Sequence, residues 1–191
     1  MNAPTALAEG LPRRRFSVAD VVRMVEVGLI GEDERLEVLD GEIVPMSPKG
    51  NRHELIKVAL NLFWGRVRPD GVAFAPETGL YLSDMTYLEP DFIVFSREVR
   101  KADVKGPDVL LAVEVADSSL GYDLGRKPKI YAAHGVRELW VIDAAKRVTH
   151  VHRDLEGDGY ASVSMLSAAD RVVPAFAPEA FAFALDNLED L

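Results

Sequence analysis

Apolar and polar positions follow two rhythms along the 191-residue chain. From Ser17 to about Leu29 the spacing is helical, with Ser17 at the N-cap and Asp20 three residues on. The run Arg35 to Met46 holds two apolar-rich stretches around Asp40-Gly41, a dipeptide that marks a hairpin. Pro48 and Gly50 then interrupt the chain, and between about Arg52 and Val67 the residues Ile56, Ala59, Leu60, Phe63 and Val67 share one helical face. From Gly71 the period shortens. Short apolar runs at Val72–Ala75, Leu80–Leu82, Phe92–Phe95 and Val109–Val115 are parted by Gly, Pro, Asp and Ser, which predicts strands. A further helix is predicted over Lys127–Ala133, closed by Gly135 as its C′ residue with His134 at the negative end. Glu138–Ile142 reads as a strand, and Val148–Arg153 with Tyr160–Leu166 as a hairpin around Gly157 and Gly159. From Ala168 the chain reads as a peripheral strand and cap.

These elements predict a mixed α/β fold, a central mixed sheet flanked by the helices of Arg52–Val67 and Lys127–Ala133. No repeat and no linker divides them, so residues 16–191 are expected to form a single domain, large enough to bury a layered core. Residues 1–15, rich in Ala, Pro and Gly at their start, are expected to form a disordered tail.

Composition narrows the chemistry. Hydrophobic residues make up 48% and charged residues 28%, as in a folded globular chain. The absence of cysteine excludes disulfides, a thiol nucleophile and thiolate metal sites. A net charge of -9 argues against non-specific coating of nucleic acid, which rests on neutralising phosphates, so such a substrate would need a local basic patch. The same excess of carboxylates suits a metal-dependent site. Arg13, Arg14 and Arg15 are not followed by an apolar signal core, and no stretch approaches a membrane span, so a cytoplasmic protein is expected.

The informative segment is Leu110-Leu-Ala-Val-Glu-Val-Ala116, a buried-strand pattern broken by Glu114. Burying an unpaired carboxylate costs several kcal/mol, so Glu114 calls for a cation, a proton or a frayed strand end. Asp91 opens the strand Phe92–Phe95 after Pro90; alone, such a residue is commonly a turn or cap. Paired on neighbouring strands, Asp91 and Glu114 offer two hard oxygen ligands of the kind that suit Mg2+ or Mn2+.

Other candidates carry two readings each. Glu37, between Leu36 and Val38, is either a solvent-facing strand residue or a site acid. Lys127 is either a solvated helix-start lysine or a group that orients a water near a metal. His53 shares an inward face with Ile56 and Leu60, where a satisfied, half-buried histidine is the commoner outcome. His150 and His152 have zinc-like spacing without an obvious third ligand and read as an exposed strand face. Gly121–Lys127 lacks the spacing of a phosphate loop, and no G-x-S-x-G elbow is present.

Taken in order, several fragments resemble the Uma-type restriction endonuclease family of the PD-(D/E)XK nuclease superfamily. They are Arg35–Pro48, His53, Glu89-Pro-Asp91 with FIVF, Val113-Glu-Val115, Asp117–Asp123, Gly125-Arg-Lys127, Tyr131 and Gly135–Asp143. The resemblance runs from about Phe16 to Arg153. It implies a restriction-endonuclease-like core with Asp91 and Glu114 as metal ligands and with Glu37 and Lys127 in the active site. It further implies a backbone carbonyl of Val115 on the metal and His53 at the site edge. The superfamily's lysine two residues after the second acid is absent, since that position is Ala116; Lys127, from the following helix, is the matching residue. Pro128 directly after it is tolerated in a first helical turn and not deeper, so the helix is expected to begin near Lys127.

Two functions follow as expectations. The first is a divalent-metal-dependent endonuclease hydrolysing DNA phosphodiester bonds with Mg2+ (or Mn2+), Arg126 and Lys129 (with the Arg13–Arg15 cluster) contacting phosphates. The second is a catalytically silent module on a nuclease scaffold that binds nucleic acid or protein. A homodimer would serve double-strand cutting, and the apolar C-terminal segments are the sequence's support for one.

Overall fold

In the computed structural model, which describes residues 14–188, the first helix begins where its capping signal stands. Helix α1 (Val18–Glu26) follows Ser17, whose hydroxyl accepts the Asp20 N–H at 3.1 Å while the Asp20 carboxylate takes the Ser17 N–H at 2.8 Å. This reciprocal capping satisfies two otherwise orphaned donors. The helix stops short of Leu29 because Gly28 takes a left-handed conformation (φ +74°). Strands β1 (Leu36–Leu39) and β2 (Glu42–Pro45) form the expected hairpin, Leu39 opposite Glu42. Asp40 (φ +50°) and Gly41 (φ +83°) both adopt the left-handed geometry that a tight two-residue turn demands. Val18, Val21 and Val38 make a small core. These residues belong to the first of two compact units, which among the described residues comprises 14–46 with 83–87; the second comprises 47–82 with 88–188. Residues 1–13 of the expected tail lie outside the described residues, and Arg14 and Arg15 within them are exposed.

Helix α2 (Asn51–Val67) opens the second unit, followed by strands β3 (Val72–Pro76) and β4 (Leu80–Ser83). The three-residue strand β5 (Thr86–Leu88), too short to register as a pattern, pairs with β1 through Tyr87 and Val38. Then come β6 (Phe92–Ser96), β7 (Val109–Ala116), the short helix α3 (Leu120–Asp123), α4 (Lys127–Ala133), β8 (Leu139–Asp143), β9 (Val148–Glu156) and β10 (Gly159–Leu166). The second unit's sheet runs β10-β9-β8-β7-β6-β3. The β7–β8 pair is parallel and the other pairs are antiparallel, so the sheet is mixed, as expected. A parallel pair needs a crossover, and α3 and α4 supply it.

Strand alternation divides the sheet's two faces. Phe92 and Val94 of β6, Leu111, Val113 and Val115 of β7, and Trp140 and Ile142 of β8 form one core with Ile56, Leu60 and Trp64 of α2. Phe181, Phe183 and Leu185 join that core, and the Trp64 Nε1–H donates to the Phe181 carbonyl at 3.0 Å. The expectation of a peripheral C-terminal strand is therefore corrected. The tail is a load of core side chains carried on 3-10 turns and a single bridge, Val172 to Phe183, and these apolar side chains are buried rather than free for a partner. On the opposite face, β7 presents Ala112, Glu114 and Ala116, and α4 packs over β9 and β10. Gly135 (φ +81°) terminates α4 as predicted.

Candidate active site

The register of β6 and β7 makes the two acids backbone neighbours. Phe92 is opposite Val113 at the end of the β6–β7 ladder, with Asp91 just before β6 and Glu114 just after Val113 on β7. The side chains reach different helices, Asp91 to His53 of α2 and Glu114 to Lys127 and Tyr131 of α4. Both carboxylates are buried, Asp91 at 7% exposure and Glu114 at 4%. On the other side of β6, Pro76 is opposite Phe92, and the Glu77 N–H donates to the Asp91 carbonyl at 3.0 Å. Glu77 sits at φ +43°, a backbone conformation uncommon outside glycine.

Asp91 is held from two directions. Its Oδ1 lies 2.8 Å from His53 Nε2, and its Oδ2 accepts the Val115 N–H at 2.8 Å. Burial by itself would raise the Asp91 carboxyl. The hydrogen bond and charge of His53, the Val115 N–H and the charge of Lys49 outweigh it and hold the carboxyl below the usual carboxylate range. The second ring nitrogen of His53 lies 3.1 Å from Glu54 Oε1, so both nitrogens face carboxylates. Glu54 also takes Lys57 Nζ at 2.7 Å, and Lys57 reaches Glu77 at 2.8 Å, where Lys49 is paired as well. At the β7 end, Arg52 Nη2 meets Asp117 Oδ1 at 2.9 Å, and Gly50 leaves room for that carboxylate where any Cβ would collide with it.

Glu114 faces α4. Its Oε1 accepts from Lys127 Nζ at 3.0 Å and from the Tyr131 hydroxyl at 2.6 Å. Lys127 begins α4, with Pro128 tolerated in the first turn. Its side chain is 5% exposed, which replaces the reading of a solvated lysine. The same ammonium lies 3.3 Å from Asp123 Oδ1 and 5.3 Å from the Tyr122 ring centroid. In the sequence, Asp123 and Tyr131 stand only within the fragments of the family resemblance, without a site role, because α3 is too short to show periodicity.

The remaining candidates fall as follows. His53 is buried, in hydrogen-bond contact with the Asp91 carboxylate. Val115 is buried beside Glu114, its N–H engaged by Asp91. Arg126 is half-buried and Lys129 exposed, flanking Lys127 at the start of α4. Glu37 belongs to the first unit and is 1% exposed, so the reading of a solvent-facing residue does not hold. The His150/His152 strand face is likewise not exposed as expected. His152 is 6% exposed, its ring against Tyr160 and its Nε2 without a partner among the described residues, because α4 covers this part of the sheet.

Among the described residues no group of three or more His, Asp or Glu side chains forms a ready-made metal cage. The donor set still fits a hard divalent ion. Mg2+ is commonly held by one or two carboxylates, with water and phosphate oxygens completing the shell. Two buried carboxylates carried at neighbouring strands match that demand. Residues that would hold such an ion are Asp91, Glu114 and the Val115 carbonyl.

The profile of the family described as "Uma2: Putative restriction endonuclease" matches residues 19–186. A solved structure described as a putative nuclease belonging to DUF820, from Anabaena variabilis, superimposes with a TM-score of 0.67 at 16% identity. The match covers 91% of this chain and 97% of that one, which shows a shared fold. No curated protein matches the chain. Among the described residues, no helix is long and apolar enough to cross a membrane.

Proposed function

The chain belongs to the Uma2 family of putative restriction endonucleases, and from that membership we propose that it is a divalent-metal-dependent endonuclease acting on DNA. The observation that supports the reading is the burial of two acids at the paired strands β6 and β7, Asp91 just before β6 and Glu114 within β7. A nuclease-like role follows from the family; the metal, the substrate and the residue roles are the proposal.

Asp91 and Glu114, with the Val115 carbonyl, hold Mg2+ or Mn2+. Such an ion, when bound, supplies Lewis-acid polarisation of a phosphate and lowers the pKa of water. His53 and the Val115 N–H fix the two Asp91 oxygens, so the acid is oriented before substrate arrives. Lys127 presents its ammonium at Glu114, where it stabilises negative charge developing on a phosphoryl oxygen and orients the attacking water. Arg126 and Lys129 supply backbone phosphate contacts beside it, offsetting locally a net charge of -9. For Glu37 the proposal rests on the family resemblance alone, as an acid that positions water or a second ion. We further read residues 16–191 as one endonuclease-like domain, working in the cytoplasm. It acts as a homodimer when both strands are cut, since each strand requires a site.

Plasmid cleavage tests the reading. With Mg2+ or Mn2+ the wild type nicks supercoiled DNA, and chelation stops it. Asp91→Ala and Glu114→Ala each lower the rate by at least about 100-fold. Equal residual nicking by all three proteins would assign the activity to a contaminant and leave a silent module on a nuclease scaffold.

A further inference from the structure

Lys127 is enclosed more fully than a phosphate-binding lysine requires. Its ammonium lies between two carboxylates, Glu114 at 3.0 Å and Asp123 at 3.3 Å, with the Tyr122 ring on a third side. Asp123 is itself fixed: it is 3% exposed, takes the Ser119 hydroxyl in a short hydrogen bond, and caps that turn through its own N–H to the Ser119 carbonyl at 3.0 Å. The two carboxylates differ in place. Glu114 belongs to strand β7, whereas Asp123 ends α3, four residues before Lys127.

That difference has a chemical consequence. A divalent cation on Glu114 would stand beside the lysine ammonium and repel it across a few ångströms of poorly solvated interior. A lysine paired with Glu114 alone would either block the ion or be driven from the site. We propose that Asp123 is a positioning residue for Lys127. Its carboxylate retains the ammonium within reach of the reacting phosphate when the ion takes Glu114. The inference rests on the metal-site reading given above. In it, Lys127 has two stations, Glu114 without the ion and Asp123 with it, and the short helix α3 exists in the site to supply the second.

A double-mutant cycle read by Mn2+ titration calorimetry tests this on the full chain. Asp123→Asn weakens Mn2+ binding about tenfold, because Lys127 then stays on Glu114 and competes with the ion. In a Lys127→Met background the same substitution changes Mn2+ affinity by less than about twofold. Asp123→Glu restores most of the affinity, and in the cleavage assay Asp123→Asn lowers kcat more than it raises KM for DNA. Circular dichroism checks the fold of each variant; if Asp123→Asn does not fold, Ser119→Ala, which loosens the same carboxylate, takes its place. Equal weakening in both backgrounds, or none in either, overturns the proposal, since Asp123 would then act on the ion directly or not at all. Asp91→Asn is the separate control: wild-type Mn2+ binding that ignores it sinks the metal-site reading and this inference together. Asp91-dependent binding without coupling between Asp123 and Lys127 sinks the inference alone.

Discussion

The imidazole Nε2 of His53 lies 2.8 Å from Oδ1 of Asp91, tying the first turn of α2 to the residue that precedes β6. This contact, with the Val115 N–H, sets the orientation of the carboxylate and keeps its pKa low. Asp91 thus contributes stability that is present above its ordinary pKa of 3.8 and is lost as pH falls through the depressed value.

Removing the histidine reverses that balance. In His53→Ala, burial of Asp91 is left opposed by fewer favourable contacts, its carboxyl rises, and acid unfolding moves to higher pH. At pH 7 the variant loses about 1–3 kcal/mol, the cost of a buried acceptor without its partner. Urea denaturation at several pH values measures both effects. An unchanged acid limb would mean that His53 does not govern Asp91.

His152 gives a second, oppositely built pH response. Burial pushes its imidazole from 6.5 down to about 4, and the charge of His150 adds to the shift. The unfolded chain therefore binds a proton that the folded chain resists between those values, so stability is fully present above about pH 6.5 and declines as pH falls toward 4. With allowance for partial solvent screening the loss is about 2 kcal/mol. His152→Leu flattens that window, read as melting temperature against pH; a variant curve parallel to the wild type would contradict it.

Phe181 is fully buried and packs edge-on against Trp64, with ring centroids 5.3 Å apart. Phe181→Ala is expected to cost about 3–5 kcal/mol, as large-to-small changes in packed cores do. Chemical denaturation measures it. A loss below about 1 kcal/mol would return the tail to the peripheral role that its sequence suggests.

Much of the fold was legible because its signals are local. The Asp40-Gly41 turn, the Ser17–Asp20 cap and the Gly135 stop each act within a few residues, and each is in place. The C-terminal tail was not legible, since its 3-10 turns carry no period and its value lies in contacts with Trp64 far back in the chain. The burial of His152 was hidden for the same reason: alternation shows which face it is on, and a helix elsewhere in the chain covers that face. In the candidate site, the strand runs that carry Asp91 and Glu114 were legible, and they are neighbours in the sheet. Lys127 carried two readings until the family resemblance favoured one, and Asp123 and Tyr131, present only within the resembling fragments, show their partners in the geometry of α3 and α4.

The central claim is that Asp91 and Glu114 together hold a divalent ion. Mn2+ titration calorimetry on the wild type, Asp91→Asn and Glu114→Gln tests it most directly. The account predicts saturable binding to the wild type that weakens by at least about tenfold in each variant, with circular dichroism unchanged. Binding of equal strength in all three proteins, or no Mn2+ binding by a folded wild type, would contradict it.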